Sequence, residues 1–339
     1  MSEKHRSKYS NMSCPLIILG AGASHDFTHP TTLGFDEHKH KLIFPMTDHL
    51  VDGKFVDNEI QSRYSEVKIL FARLVSCTQR SSFEKCLEGW DDYKQLSALR
   101  LYLGDYFWKK SQDKAVTDNP SNFGALVDYI KKSPAKGACI VTFNYDVLLE
   151  NVLGLDRFFH LSNYIDGSVD NIRIIKIHGS CDWYHLMSRV ANDIYTALSQ
   201  HPEFFNKPNL DILTKRWLEQ PKSGANQFFR IPAISLPTTS TKSYACPRDH
   251  IQLLTSTLPE IRKVLIIGWK AGDSFLLEKL KEIKEPIHLT VVSGSEKGAK
   301  EVAEIIEKYV PNIGRKTTFQ GFSDFIGSTE CNAFFNEKI

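Results

Sequence analysis

The stretch that decides the fold runs from Leu16 to Ser24 and reads LIILGAGAS. Its first four residues form a continuous apolar run, which is typical of a short strand buried on both faces of a parallel sheet. The glycines that follow let the chain turn tightly, and they let backbone amides approach a phosphate without obstruction by side chains. The stretch therefore predicts a buried strand whose carboxyl end is a candidate ligand-binding edge.

The same pattern, an apolar run followed by small or polar residues, returns four times along the chain. The further runs are at 138–141, 172–177, 263–267 and 287–292. Between them, apolar residues recur at helical spacing, most clearly around 83–107, 123–130 and 276–280. Strands that alternate with helices predict an α/β fold with a doubly wound, mostly parallel, Rossmann-like sheet. In such a sheet the ligand site lies at the carboxyl ends of the strands.

Two regions break this alternation. A helical block runs from about 59 to 110, and within it Ser81 and Glu84 have the spacing of a capping box. The second region, about 183–232, has few strand signals. We interpret both as insertions that form a smaller lobe on a single domain spanning residues 1–339.

Composition excludes several classes of protein. The chain has 42 Lys and Arg against 40 Asp and Glu, which gives no electrostatic argument for binding nucleic acid or a membrane surface. Its 7 cysteines include no Cys-x-x-Cys pair, which argues against a disulfide framework and against a zinc ribbon. The apolar stretch near the amino terminus is too short for a secretion signal or a membrane span. We expect a soluble, cytoplasmic protein with reduced cysteines and no bound metal.

Polar side chains follow two of the predicted strands. Asn144 and Asp146 come just after the second run, and Asp146 is also a candidate cap for the helix that follows it. The amide of Asn144 offers both donor and acceptor, so it can hold a sugar hydroxyl or a water. His178 follows the third run, and its imidazole can accept a proton near neutral pH. A lone histidine is more often structural, but the adjacent Gly179 leaves room for a ligand to come close.

The last two runs are each followed by a glycine-containing segment like the one after the first run, which suits a long ligand with two ends. Gly268 to Asp273 follows the fourth run, and Ser293 to Ser295 follows the fifth. Asp273 is also a candidate N-cap for the helix after it. The polar segment 236–242 either closes over the site or is an ordinary surface loop.

Four segments taken in order resemble the sirtuin-like family. They are GAGAS at 20–24, TFNYD at 142–146, HGS at 178–180 and IGWKAGD at 267–273. The chain is most similar to the bacterial sirtuin-like NAD hydrolases of antiphage defence, where the aromatic before Asn144 and the Asp182-Trp183 pair are familiar. Segments 45–48 and 83–88 fit the same group more loosely. The resemblance covers about residues 16–310.

The resemblance implies that NAD is the substrate and assigns a role to each candidate residue. Gly20, Ala21, Gly22 and Ser24 would cradle the pyrophosphate, while Asn144 and Asp146 would hold the nicotinamide ribose. His178 would be the catalytic histidine. Three further residues would lie toward the adenosine half of NAD, namely Gly268, Asp273 and Ser293.

The departures from the family matter as much as the match. Deacetylase sirtuins carry a four-cysteine zinc module after the catalytic histidine, and no pair of cysteines here has its spacing. The resemblance therefore implies hydrolysis of NAD to nicotinamide and ADP-ribose, without a metal, in preference to peptide deacetylation. Two alternatives stay open: a catalytically silent module that binds NAD or ADP-ribose, and an ADP-ribosyltransferase.

Regulation is the last expectation that the resemblance carries. Defence effectors that deplete NAD must stay silent until infection is sensed. Because the resemblance covers nearly the whole chain, we expect sensing to reside in a partner protein or in self-assembly into a homo-oligomer. An Argonaute-like protein or a hexameric ATPase would be a partner by analogy.

Overall fold

The structure is a computed structural model. It describes residues 14–27, 44–46, 49–51, 55–78, 81–88, 90–118, 120–188, 194, 213–215, 228–236 and 245–337. Within these residues we number the strands β1 to β9 and the α-helices α1 to α13 in chain order. The strands are β1 (Leu16–Leu19), β2 (Ala138–Thr142), β3 (Ile172–Lys176), β4 (Gly179–Ser188), β5 (Leu213–Lys215), β6 (Phe228–Ile234), β7 (Lys263–Ile267), β8 (Ile287–Ser293) and β9 (Ile313–Gln320).

The helices divide into those before and those after β2. The first group is α1 (Ala21–His25), α2 (Asn58–Arg63), α3 (Ser65–Thr78), α4 (Phe83–Leu87), α5 (Tyr93–Ser111), α6 (Lys114–Thr117) and α7 (Asn122–Lys132). The second group is α8 (Leu148–Leu153), α9 (Arg248–Thr257), α10 (Ser274–Leu280), α11 (Glu296–Glu307), α12 (Phe322–Ile326) and α13 (Thr329–Asn336).

The main sheet has six parallel strands in the order β3-β2-β1-β7-β8-β9. The chain starts at a central strand, moves outward through β2 to β3, and then returns to the other side of β1 with β7. The strand order therefore reverses between β1 and β7, which is where doubly wound sheets bind their ligands. The doubly wound parallel sheet predicted from the sequence is confirmed.

The central strands are apolar because both of their faces are covered. The four residues of β1 are each at most 1% exposed. Ile17 and Leu19 point into one core, whereas Leu16 and Ile18 point into the other, as the two-residue period of a strand requires. One face of the sheet packs against α7, α8, α12, α13 and the helical block α2–α5, and the other packs against α9, α10 and α11.

The helical block predicted at about 59–110 corresponds to helices α2 to α5. The capping serine of α4 is Ser82, whose side chain accepts from the Lys85 amide, so the prediction that placed the cap at Ser81 was wrong by one residue. Helix α5 is the centre of the block, and Tyr102 on it meets the ring of Phe71 on α3 edge to face at 5.2 Å. The block is thus tied together by packing between α3 and α5.

A second, smaller sheet has the order β5-β4-β6 and is antiparallel. The expectation of few strand signals between 183 and 232 was wrong for β4 and β6, which pair with each other over most of their length. Most of the predicted second insertion, at 189–193, 195–212 and 216–227, lies outside the described residues. The edge strand β9 was also missed, because its sequence IGRKTTFQ is half-exposed and carries no apolar run.

One disulfide joins Cys77, near the end of α3, to Cys86 in α4. The two Cα atoms lie 5.8 Å apart across a separation of 9 residues. The expectation that the cysteines are all reduced is therefore wrong for this pair. No pattern in the sequence indicates this disulfide, because the contact depends on how α3 and α4 pack.

The packing of α5 on the small sheet is tested by Gly104→Ala. A Cβ at Gly104 would lie 2.7 Å from Cγ of Pro232 in β6, so we expect a loss of about 1–3 kcal/mol in the free energy of unfolding. The measurement is urea denaturation. The matched control is Gly124→Ala in α7, where the new methyl would meet Oγ of Ser121 at an ordinary 3.4 Å. Equal effects of the two substitutions would contradict the packing described here.

Candidate functional site

The segments that directly follow β1 and β7, called their exits, lie side by side in direct backbone contact. The amide of Gly20 donates to the Ile267 carbonyl at 2.9 Å, and the amide of Gly22 donates to the Gly268 carbonyl at 3.1 Å. A Cβ on Gly22 would lie 2.8 Å from Cα of Gly268, and one on Gly20 would lie 2.4 Å from the Gly268 oxygen. Gly268 itself has a positive φ of 63°. The close backbone contact between the two exits therefore requires these three glycines, whatever the ligand.

Two of these glycines, Gly20 and Gly22, belong to the predicted pyrophosphate cradle. The amides of Gly20 and Gly22 already have acceptors in the β7 exit. Ala21 is the first residue of α1, so its amide has no acceptor within the helix. Ser24 is 3% exposed, and its hydroxyl takes part in a hydrogen-bond network inside the site. The structure thus brings the four predicted residues together, with a packing role for the two glycines.

That network joins Asn144, Ser24 and Asp146. The amide nitrogen of Asn144 donates to the Gly20 carbonyl at 3.0 Å and to Oγ of Ser24 at 2.8 Å. The Ser24 hydroxyl in turn donates to Oδ2 of Asp146 at 2.7 Å. Both N–H groups of the Asn144 amide are therefore used, which fixes its carbonyl oxygen in direction. Among the described residues, none donates a hydrogen bond to that oxygen, although it is buried.

Asp146 contacts both the helix that follows it and the candidate site. Its Oδ1 accepts from the Leu148 amide at 3.2 Å, in the first turn of α8, while Oδ2 accepts from Ser24. Burial raises the pKa of the Asp146 carboxyl, and the nearby Lys176 ammonium and the Ser24 hydrogen bond partly offset this rise. The helix contact and the site contact thus coexist in one side chain.

A buried ion pair lies directly beneath Asp146. Lys176, on β3, donates to the backbone carbonyl of Asp146 and bonds to Oε1 of Glu150 at 2.9 Å. Both members of the pair are 1% exposed, and the hydroxyl of Tyr164 also donates to Glu150, at 3.2 Å. Burial favours neutral Lys176, but Glu150 and Asp146 outweigh it and raise the pKa of the ammonium. Lys176 was not predicted as a site residue, since a single lysine in an apolar strand carries no motif.

His178 lies at the end of β3 and faces Asp273 from the β7 exit. Its Nε2 is 3.3 Å from Oδ2 of Asp273, and the two side chains are 25% and 15% exposed. The ring also meets Phe143 edge to face at 5.0 Å, and Phe143 stacks on Trp269 at 5.1 Å. The two aromatic residues were not predicted as site residues, although Phe143 follows β2 directly and Trp269 is the second residue after β7.

Gly179, next to His178, was expected to leave room for a ligand, but it lies against strand β6. A Cβ there would lie 1.8 Å from the Ala233 oxygen of β6, and the residue has a positive φ of 80°. Its missing side chain therefore makes room for the partner strand of β4. Ser293 lies at the end of β8, on the same edge of the sheet as the site, and its carbonyl accepts from the Gly321 amide at 2.8 Å.

Other predicted features lie in the core or outside the described residues. Trp183 is 0% exposed and meets the ring of Tyr164 at 5.2 Å, so the Asp182-Trp183 pair belongs to the core beneath the site. Residues 237–242 of the candidate closing segment, and residues 47 and 48, are outside the described part of the chain. Within the described part, no group of three or more His, Cys, Asp or Glu residues is placed to hold a metal ion. No described helix is both long enough and apolar enough to cross a membrane.

Comparison with known proteins gives likeness in structure and none in sequence. No family model and no curated protein matches this chain. A mutant Sir2 homologue in complex with 2′-O-acetyl-ADP-ribose matches at a TM-score of 0.48 and 11% identity, over 96% of this chain and 94% of that one. A Sir2 homologue in complex with NAD matches at 0.40 and 11%, over 96% and 91%. At these values the likeness assigns no function to this chain.

Below the site, His250 of α9 is buried against Trp183 and Tyr164. Its Nε2 lies 3.1 Å from the Leu161 carbonyl, and burial lowers the pKa of the imidazole from 6.5 to about 4. Between these two values the unfolded chain binds a proton that the folded chain does not, so stability falls as the pH falls.

We expect this histidine to remove about 3 kcal/mol of stability between pH 6.5 and pH 4. The measurement is urea denaturation across that range for the wild-type protein and for His250→Gln, which keeps a donor for the Leu161 carbonyl. The difference between the two stability curves isolates the histidine from the titrating carboxyl groups. Parallel curves would show that His250 is not held neutral by the fold.

Proposed function

We propose that this protein cleaves NAD between nicotinamide and its ribose, with water as the acceptor, to release nicotinamide and ADP-ribose. The observation that carries the proposal is the fixed amide of Asn144 at the carboxyl edge of the sheet. Its nitrogen is held by Gly20 and Ser24, and its buried oxygen is left open to a ligand by the described residues. Leaving a buried acceptor without a donor costs about 1–3 kcal/mol, which a ribose hydroxyl or a bound water would recover.

The geometry of the edge suits an extended dinucleotide. Moving across the sheet, the exits of β3, β2, β1, β7 and β8 carry His178, Asn144, Gly20, Gly268 and Ser293 in that order. Four strand spacings separate the first from the last, or about 19 Å. In the proposal the nicotinamide ribose lies at the Asn144 end, the pyrophosphate lies near the turn at Ala21, and the adenosine extends toward β8.

The chemistry needs few groups, and the site supplies them. Nicotinamide leaves as a neutral molecule from a cationic ring, so the leaving group needs no acid. The ribose passes through a state that resembles an oxocarbenium ion, as in sugar hydrolysis. Asn144 would orient the ribose or the attacking water, and His178 would accept the proton from that water. Asp146 would act through Ser24, whose hydroxyl it holds in the orientation that accepts from Asn144.

Control of the activity is part of the same proposal and rests on the resemblance to antiphage NAD hydrolases. We propose an effector of abortive infection that is held silent and is released by a protein partner or by formation of a homo-oligomer. An Argonaute-like protein or a hexameric ATPase is the kind of partner that the resemblance implies.

The test is nicotinamide release from NAD by the purified protein, measured by chromatography over a range of protein concentrations. We expect Asn144→Ala and His178→Ala each to lower the rate by at least about 100-fold, because each removes a group that acts on the reacting ribose. The matched control is Asn332→Ala on the exposed side of α13, which should leave the rate unchanged.

The outcomes separate the three functions. Normal turnover by Asn144→Ala or by His178→Ala would overturn the assignment of that residue. Adenosine-labelled NAD that becomes attached to protein would indicate ADP-ribosyl transfer. Tight NAD binding with no cleavage at any protein concentration, by the protein alone or co-expressed with a partner protein, would indicate the silent binding module.

A further inference from the structure

Asp273 uses its two carboxylate oxygens for two different structures. Oδ1 accepts from the Leu276 amide at 2.8 Å and caps the amino terminus of α10, as the sequence indicated. Oδ2 lies 3.3 Å from Nε2 of His178. Because Asp273 is bound to its own helix through one oxygen, the second oxygen is held in a fixed direction toward the imidazole.

The contact between His178 and Asp273 joins residues that follow two non-adjacent strands of the main sheet. His178 follows β3, and Asp273 follows β7, with β2 and β1 between these strands. Three strand spacings, or about 14 Å, separate β3 from β7, so both exits lean toward the crevice where the strand order reverses. The pair therefore lies over the part of the edge where we place the nicotinamide ribose.

His178 is held by two further contacts, one to its ring and one to its backbone. The Phe143 ring meets it edge to face at 5.0 Å, and the Ser235 amide of the segment after β6 donates to the His178 carbonyl at 2.9 Å. With its backbone bonded to the segment after β6 and its ring packed on Phe143, His178 directs Nε2 at Asp273. Nδ1 is the ring nitrogen that does not face Asp273.

We propose that Asp273 is a positioning residue that fixes the tautomer of His178 and so makes Nδ1 the atom that accepts the proton. The inference rests on the proposed function. An ionised carboxylate only accepts hydrogen bonds, so Nε2 of the neutral ring must carry the hydrogen and Nδ1 must carry the lone pair. Such a pair holds a histidine base in the correct tautomer and stabilises the imidazolium that forms.

This role differs from the one implied by the resemblance, in which Asp273 lies toward the adenosine half of NAD. The two roles predict different kinetics. A residue that binds adenosine contributes equally to the ground state and the transition state, so its loss raises KM and leaves kcat unchanged. A residue that orients the base contributes to the reaction step, so its loss lowers kcat.

Two substitutions separate the tautomer from the helix cap. In Asp273→Asn the side-chain oxygen still accepts from Leu276, but the amide nitrogen now faces His178 and donates to Nε2. The ring must then carry its hydrogen on Nδ1, which is the wrong tautomer. In Asp273→Ser the cap is kept, because serine is a good N-cap residue, but the side chain is too short to reach His178. The matched control is Asp92→Asn, which makes the same change at the N-cap of α5.

The first measurement is long-range nitrogen NMR on the full-length protein with ¹⁵N-labelled histidine, without substrate and in alkaline buffer. The His178 signals are identified by their loss in His178→Gln. We expect the hydrogen on Nε2 in the wild-type protein and in Asp92→Asn, and on Nδ1 in Asp273→Asn. A hydrogen on Nδ1 in the wild-type protein, or the same tautomer in wild type and Asp273→Asn, would overturn the proposal.

The second measurement is steady-state NAD cleavage. We expect kcat to fall by at least about 100-fold in Asp273→Asn and Asp273→Ser, with KM for NAD changed by less than about 3-fold. A rise in KM at unchanged kcat would instead support the adenosine role. Because the NMR experiment needs no substrate, absence of NAD cleavage by the wild-type protein would count against the proposed function and leave the tautomer result standing.

Discussion

The backbone contact between the exits of β1 and β7 is the constraint on which the candidate site depends. Because the Gly22 amide bonds to the Gly268 carbonyl, α1 begins in a fixed place, and Ser24 on that helix reaches both Asn144 and Asp146. On the β7 side of the same backbone contact, Trp269 follows Gly268 and stacks on Phe143. A side chain larger than hydrogen at any of the three glycines would push the exits apart and separate the two halves of the site.

The buried charges beneath the site are the second constraint. An ion pair such as Lys176 and Glu150 gives back little net stability, since the desolvation of both groups offsets their attraction. It does impose a geometry, because each charge must keep its partner. Lys176 also donates to the backbone carbonyl of Asp146, so the pair holds the segment that carries Asn144 and Asp146. The ion pair thus serves to position the site.

The sequence predicted the fold where apolar runs were continuous and failed where burial is partial. All five predicted runs are strands of the main sheet, because strands covered on both faces are mostly apolar. Strand β9 is an edge strand that reads IGRKTTFQ, and β4 reads GSCDWYHLMS, so polar residues interrupt both and neither carries such a run. The Cys77–Cys86 disulfide and the Asp273–His178 pair join elements whose approach depends on tertiary packing, which local patterns do not encode. Asn144, Asp146 and His178 could be predicted as candidates from the sequence because strand ends of a parallel sheet share one edge.

The two halves of the site differ in burial and in hydrogen-bond length, and this difference bears on how they would act. The Asn144 network has hydrogen bonds of 2.7 to 3.0 Å, lies almost entirely in the interior and is built on backbone contacts. The His178–Asp273 pair is longer, at 3.3 Å, and both of its side chains reach solvent. Catalytic hydrogen bonds are often long in a free enzyme and tighten when the substrate is bound. In the proposed reaction, Asn144 would therefore fix the ribose before the bond breaks, and the contact of His178 would tighten as the imidazole accepts the proton.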